Sequence, residues 1–121
     1  MGSHPPSPEA HLPLKNETLW LLLALHRGHR HGYGLMQEIA ERSEGRVRIQ
    51  TGALYRLLHR MDEDGLVEEV EPPAEETDRR RRYYGITSLG VDVLEGELAR
   101  MRELVESGVR DGVLPARDGA A

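Results

Sequence analysis

The apolar positions fall into blocks with different periods. Between Leu14 and Leu25, Leu19, Leu22, Leu23 and Leu25 form one helical face, widened by Leu14, Trp20 and Leu21. Asn16 is the expected cap and Gly28 the stop. So broad a face belongs to a helix that is buried or covered by a second chain. His31-Gly32-Tyr33-Gly34 reads as a connector, with Tyr33 packed between helices. A short helix follows from about Leu35 to Ser43, with Leu35, Met36, Ile39 and Ala40 on one side and Gln37, Glu38, Glu41 and Arg42 on the other. Leu54, Leu57, Leu58 and Met61 define a third helix, with Thr51 as the expected cap and Gly65 as its end. Its opposite stripe holds Thr51, Gly52, Tyr55, Arg56 and His59.

The period then changes. Leu66 to Val70 and Arg79 to Ile86 read as two strands, and Pro72-Pro73 keeps the segment between them out of the ladder. Tyr83 and Tyr84 alternate, so one of them should face the core. The last pattern is the longest. Thr87 is a good N-cap, and Ile86 and Val91 sit where a hydrophobic staple would place them. Val91, Leu94, Leu98, Met101 and Val105 recur at spacings of 3, 4, 3 and 4, a narrow seam of the kind that pairs two helices. The expected organisation is a flexible lead-in over 1–13, a compact unit over 14–86, a long helix over 87–110 and a disordered tail over 111–121. Three helices, a hairpin and a long helix is the order of a winged helix-turn-helix with a C-terminal dimerisation helix. The fold class is mainly α with a small β-hairpin.

Composition narrows the chemistry. The 121 residues include no cysteine, which removes disulfides and thiolate chemistry and makes a cytoplasmic setting the default expectation. The longest apolar run, Leu19 to Leu25, is far short of the ~20 residues that span a bilayer, so no membrane partner is expected. A formal charge of −5 argues at first against nucleic acid. Its distribution reverses the argument: Arg46 to Arg60 contains four arginines and no carboxylate, Arg79 to Arg82 is an unbroken basic run, and nine carboxylates lie between Asp62 and Asp78. At a screening length of ~8 Å, DNA responds to local faces more than to the total.

Small polar residues at the start of the third helix let its end approach a phosphate backbone, and Arg56 is long enough to reach a base edge. Arginines on a wing can fork onto phosphate oxygens or enter a narrow groove. The expected DNA contacts are Gln50, Thr51, Gly52, Tyr55, Arg56, His59, Arg79, Arg80, Arg81 and Arg82. His26, His29 and His31 are weak metal candidates, because their spacing across a helix end does not bring three rings to one face. No catalytic constellation and no cofactor site is apparent, so the chain does not read as an enzyme. A metal-responsive sensor on the same scaffold and a winged helix that mediates protein contacts are the alternatives.

Four collinear motifs bear a family resemblance. His31-Gly32-Tyr33-Gly34-Leu35 resembles the H-G-Y-x-[IL] turn of the PadR-like winged-helix transcriptional regulators, and Gly52-Ala53-Leu54-Tyr55-Arg56-Leu57-Leu58-His59-Arg60-Met61 resembles their G-T-L-Y-P-x-L-x-R-L recognition helix. Asp64-Gly65-Leu66-Val67 is similar to their E-G-L-[IV] segment, and Arg80 to Gly90 to their R-R-K-Y-Y-x-[LI]-T-x-x-G. The chain departs from the pattern at Gln50, where the family often has Ser, at Ala53 for Thr and at Arg56 for Pro. The resemblance implies a repressor that binds double-stranded operator DNA as a homodimer, of the short type with one C-terminal helix. It also implies a small aromatic or cationic effector bound at or near the dimer interface. Trp20, Leu94, Leu98, Met101 and Val105 are the expected effector or dimer-interface residues.

Overall fold

A computed structural model describes residues 7–117. The first six residues of the expected lead-in and the last four of the expected tail lie outside the described residues. After a single 3-10 turn, Pro8–His11, the elements are α1 (Asn16–His26), β1 (Arg30–His31), α2 (Gly32–Arg42), α3 (Thr51–Glu63), β2 (Val67–Val70), β3 (Tyr83–Ile86) and α4 (Ser88–Arg110). No helix is long and apolar enough to cross a membrane among the described residues.

Helix α1 is the centre of the packing. Leu21, Leu22, Ala24 and Leu25 are fully buried, and α2, α4 and β3 all lie against the helix. Leu35 and Ile39 of α2, Leu54, Leu58 and Met61 of α3, and Val93 and Leu94 of α4 complete the core with Leu66, Val67 and Tyr84. Each fully buried leucine contributes on the order of 1.5–3 kcal/mol relative to an exposed one.

The expected two-stranded hairpin is a three-stranded antiparallel sheet of order β1-β3-β2. Strand β1 has two residues, Arg30 opposite Tyr84 and His31 opposite Tyr83. It exists only because β3 has an open edge beside it, and two residues leave no period to read. The expected connector therefore divides between β1 and the first turn of α2. Tyr84 faces the core, as the alternation predicts, and Tyr83 on the opposite face is buried as well, under His31 and Glu76. Tyr33 is exposed, its hydroxyl accepting a bond from Gln37 (3.3 Å), and does not pack between helices.

Helix α3 ends in a Schellman motif. Gly65 has φ +79°, its N–H donates to Asp62 and the Leu66 N–H donates to Met61 (2.9 Å), so the chain turns directly into β2. Thr87 caps α4 as expected, accepting from the Gly90 N–H at 3.0 Å. A Cβ at Gly90 would collide with the Leu66 carbonyl oxygen, so this close approach of α4 to β2 requires glycine.

The described parts of the expected lead-in and tail make defined contacts with the fold. The turn at Pro8–His11 lies on α4, and the Leu14 N–H donates to Glu97 of that helix at 3.0 Å. Glu97 is fully buried and also receives two bonds from Arg100, at 2.7 and 3.0 Å. Arg100 first, then the Leu14 N–H, hold the Glu97 carboxyl below its ordinary range against the opposing effect of burial. Beyond α4, Gly112 at φ +80° and the Val113 N–H to the Gly108 carbonyl (2.8 Å) close the helix, so residues 111–114 form a cap.

Candidate nucleic-acid interface

The N-terminal end of α3 is open. Gln50 is the residue before the helix and makes no side-chain cap bond, so the expected capping by Thr51 does not occur. Thr51 is the first helical residue instead, its hydroxyl 3.9 Å from the Met36 sulfur. The first helical bond runs from the Leu54 N–H to the Gln50 carbonyl. The amides before it are the unpaired donors that a helix start offers to an anion. Gln50, Thr51, Gly52, Tyr55, Arg56 and His59 are all exposed. Arg56 makes no ion pair among the described residues, whereas His59 approaches Glu63 one turn along at 3.5 Å.

Tyr55 has a second role. Its hydroxyl lies over Gly32, where any Cβ would overlap the phenol. The start of α2 and the middle of α3 are therefore in direct contact. His31, the preceding residue, accepts from the Gly34 N–H through Nδ1 at 3.1 Å and meets the Tyr83 ring edge-on at 5.3 Å. Burial, and then the nearby Arg81, hold the His31 imidazole below its usual value.

The wing arginines are not equivalent. Arg80 pairs with Asp78 (3.3 Å), and Arg81 pairs with Glu76 (3.3 Å). Glu76 also accepts from the Tyr83 hydroxyl and the Asp78 N–H is bound to it at 2.9 Å. Arg79 and Arg82 have no carboxylate partner among the described residues. The acidic stretch thus folds back on its own wing and occupies two of the four arginines.

The Tyr83 hydroxyl, then the Asp78 N–H, with Arg81 behind them, bring the Glu76 carboxyl down to about 2. A depressed carboxyl stabilises the fold above its unfolded value of 4.5, and that contribution disappears as pH falls toward about 2. Amide NMR resonances of Asp78 and Arg81 are expected to move through that window, and Glu76→Gln should remove the step. Unchanged resonances between those pH values would contradict the role of Glu76 in holding Tyr83, Asp78 and Arg81 together.

The other expected site residues separate. Leu94 is buried in its own core and Met101 packs partly on it, while Leu98 and Val105 are 37% and 52% exposed. The expected seam is thus shared between the core and an open face. Trp20 is half-buried, with the Arg42 guanidinium 5.9 Å above its ring. His26 is exposed, His29 lies against Gly85, and His31 is engaged as a cap. No group of three His, Asp or Glu that could hold a metal is formed among the described residues.

One arrangement escapes the motif pattern. A cleft of about 530 Å³ between the start of α1 and the flank of α3 is lined by Lys15, Arg48, Arg56 and Arg60, with Glu17 opposing them. Arg48 was legible only as one charge in an acid-free run. Lys15 carries no sequence signal, because its proximity to α3 is tertiary.

The profile of the transcriptional regulator PadR-like family matches residues 21–96. An uncharacterised protein X of Lysinibacillus sphaericus is 30% identical over 80 residues, covering 64% of this chain and 72% of that one. The structure of RosR from H. salinarum is similar, with TM-score 0.62 and 26% identity over 85% of this chain and 96% of that one. A PadR-like transcriptional regulator from Bacillus cereus has TM-score 0.63 and 25% identity over 79% and 89% of the two chains.

Proposed function

The chain belongs to the PadR-like family of transcriptional regulators, which are DNA-binding proteins, and we propose that it is a homodimeric, ligand-responsive repressor acting on cytoplasmic DNA. In this reading α3 enters the major groove and Arg79 and Arg82 lie on the flanking backbone. The observation that supports it best is the open start of α3, with exposed Gln50, Thr51, Gly52 and Arg56 and no carboxylate from Arg46 to Arg60. A two-fold dimer would place its two recognition helices about one DNA turn (~34 Å) apart, so the operator is an inverted repeat. Release by a small aromatic or cationic molecule belongs to the same reading. Trp20, one face of which lies under Arg42, is the side chain such a ligand would meet.

Titration of the chain with its own promoter DNA tests this. Arg56→Ala should weaken specific binding by about 1–3 kcal/mol and relax sequence preference at one position. Replacing both Arg79 and Arg82 by Ala should weaken binding to all sequences alike and lower the salt slope by about two. Replacing Arg80 and Arg81, already paired within the wing, should change the slope less. A chain that binds its promoter no better than random duplex, or an Arg56→Ala variant indistinguishable from the parent, would overturn the proposal.

A further inference from the structure

The cleft between α1 and α3 does not end at the recognition helix. It continues into a second recess of about 290 Å³ that shares Lys15, Thr18, Leu57 and Arg60 with it and runs on to Met61, Leu66 and His11. Together they form one trough, within the size range of small-molecule sites. Its wide end gathers three guanidinium groups and one ammonium group, from Arg48, Arg56, Arg60 and Lys15, against the single carboxylate of Glu17. None of these four cations makes an ion pair among the described residues, although six pairs form elsewhere. Four cations facing two carboxylates, Glu17 and Asp64 at the narrow end, with no ion pair formed to either, leave a net positive charge that favours an anion. His11 lines the narrow end, and its Nε2 is the one buried side-chain polar atom without a hydrogen-bond partner among the described residues. A buried orphan of this kind calls for a partner.

We propose that this trough binds a small phosphorylated molecule, with its phosphate on Lys15, Arg48, Arg56 and Arg60 and its organic body extending toward His11. The charge selects the class. A monocarboxylate would neutralise one of four cations, whereas a phosphate ester or diphosphate brings about two or three negative charges and the oxygen geometry that guanidinium groups fork onto. Ile49, Leu57, Met61 and Leu66 give the body an apolar floor. Regulation follows, and this step rests on the DNA-binding reading above. Gln50 and Arg56 belong both to the trough and to the reading face of α3, so phosphate and operator compete for the same side chains.

The test uses the full chain and calorimetric titration with sodium pyrophosphate, adenosine 5′-monophosphate and adenosine, at about 0.15 M salt. The two phosphates should bind and adenosine should not. Lys15→Gln with Arg48→Gln should weaken both phosphates at least about tenfold, the loss of two charge-assisted contacts. Arg79→Gln with Arg82→Gln removes the same charge from the wing and should leave them unchanged. No binding of either phosphate, or equal weakening by the two double variants, overturns the proposal.

Promoter DNA then distinguishes the source of the phosphate. A free ligand as occupant predicts that the Lys15/Arg48 variant binds DNA like the parent and resists displacement by pyrophosphate. Weaker DNA binding by that variant, with a salt slope lower by about two, assigns the trough to backbone phosphates and overturns the small-molecule occupant. A chain that binds no duplex refutes the regulator reading alone, and the pyrophosphate titration still decides the trough.

Discussion

Glu97→Ala lowers the free energy of unfolding by about 3 kcal/mol, a large fraction of what a domain of this size possesses. Glu97 is fully buried, so its removal leaves a cavity and deprives both the Leu14 N–H and the Arg100 guanidinium of their acceptor. Arg100 is 40% exposed and can turn to water, which keeps the loss from being larger. The Leu14 N–H is partly buried, and a donor left without its partner there costs up to about 1–3 kcal/mol. Urea denaturation measures the change. Glu97→Gln retains an acceptor for Leu14 and should cost less than alanine. Equal stability of the alanine variant and the parent would show that the N-terminal segment is not held through this carboxylate. Because the carboxyl is depressed in the folded chain, its contribution is present above the usual carboxylate range and fades as acid protonates it.

If the chain is the homodimer proposed above, Leu98→Glu should produce monomers and weaken operator binding by about 100-fold or more, since a monomer loses the gain from engaging two half-sites together. Leu98 is 37% exposed in the single chain and lies outside the core cluster, so the substitution acts chiefly on assembly. Leu94, on the same seam, offers no such test: it is buried, and a charge there would unfold the protomer. Val105 and Leu104, at 52% and 60% exposure, extend the open apolar face that a second copy would cover. Analytical ultracentrifugation and a promoter titration read the two effects. Dimers that persist at micromolar concentration after the change would refute this face as the interface.

Local sequence signals were enough for the elements that depend on local signals. Helix α3 was legible from the spacing of Leu54, Leu58 and Met61, and the start of α4 from Thr87. Strand β1 was not, because Arg30 and His31 become a strand only through pairing with Tyr84 and Tyr83 about fifty positions away. Glu97 was passed over for a related reason. On a helical wheel it is an ordinary polar position, and its burial comes from a segment more than eighty residues earlier in the chain. The α3 face was legible as a stripe of exposed residue types. The pairing of Arg80 and Arg81 with Asp78 and Glu76 was not, since a run of four arginines gives no hint of which two are already occupied. The trough required Lys15 and Arg60 to meet across two helices, and no periodicity encodes that.

The contacts around His31 and Gly32 have a mechanical consequence. Tyr55 of α3 rests on Gly32, and Tyr83 of the wing rests on His31, so both reading elements stand on two adjacent residues of one chain. On the DNA-binding reading proposed above, they would act like the arms of a caliper, and opening the gap between them would break one of those seats. A duplex would have to bring a matching groove width to the protein. Stiff and flexible base steps would then be sorted by how much they resist that imposed gauge, even at positions no side chain touches.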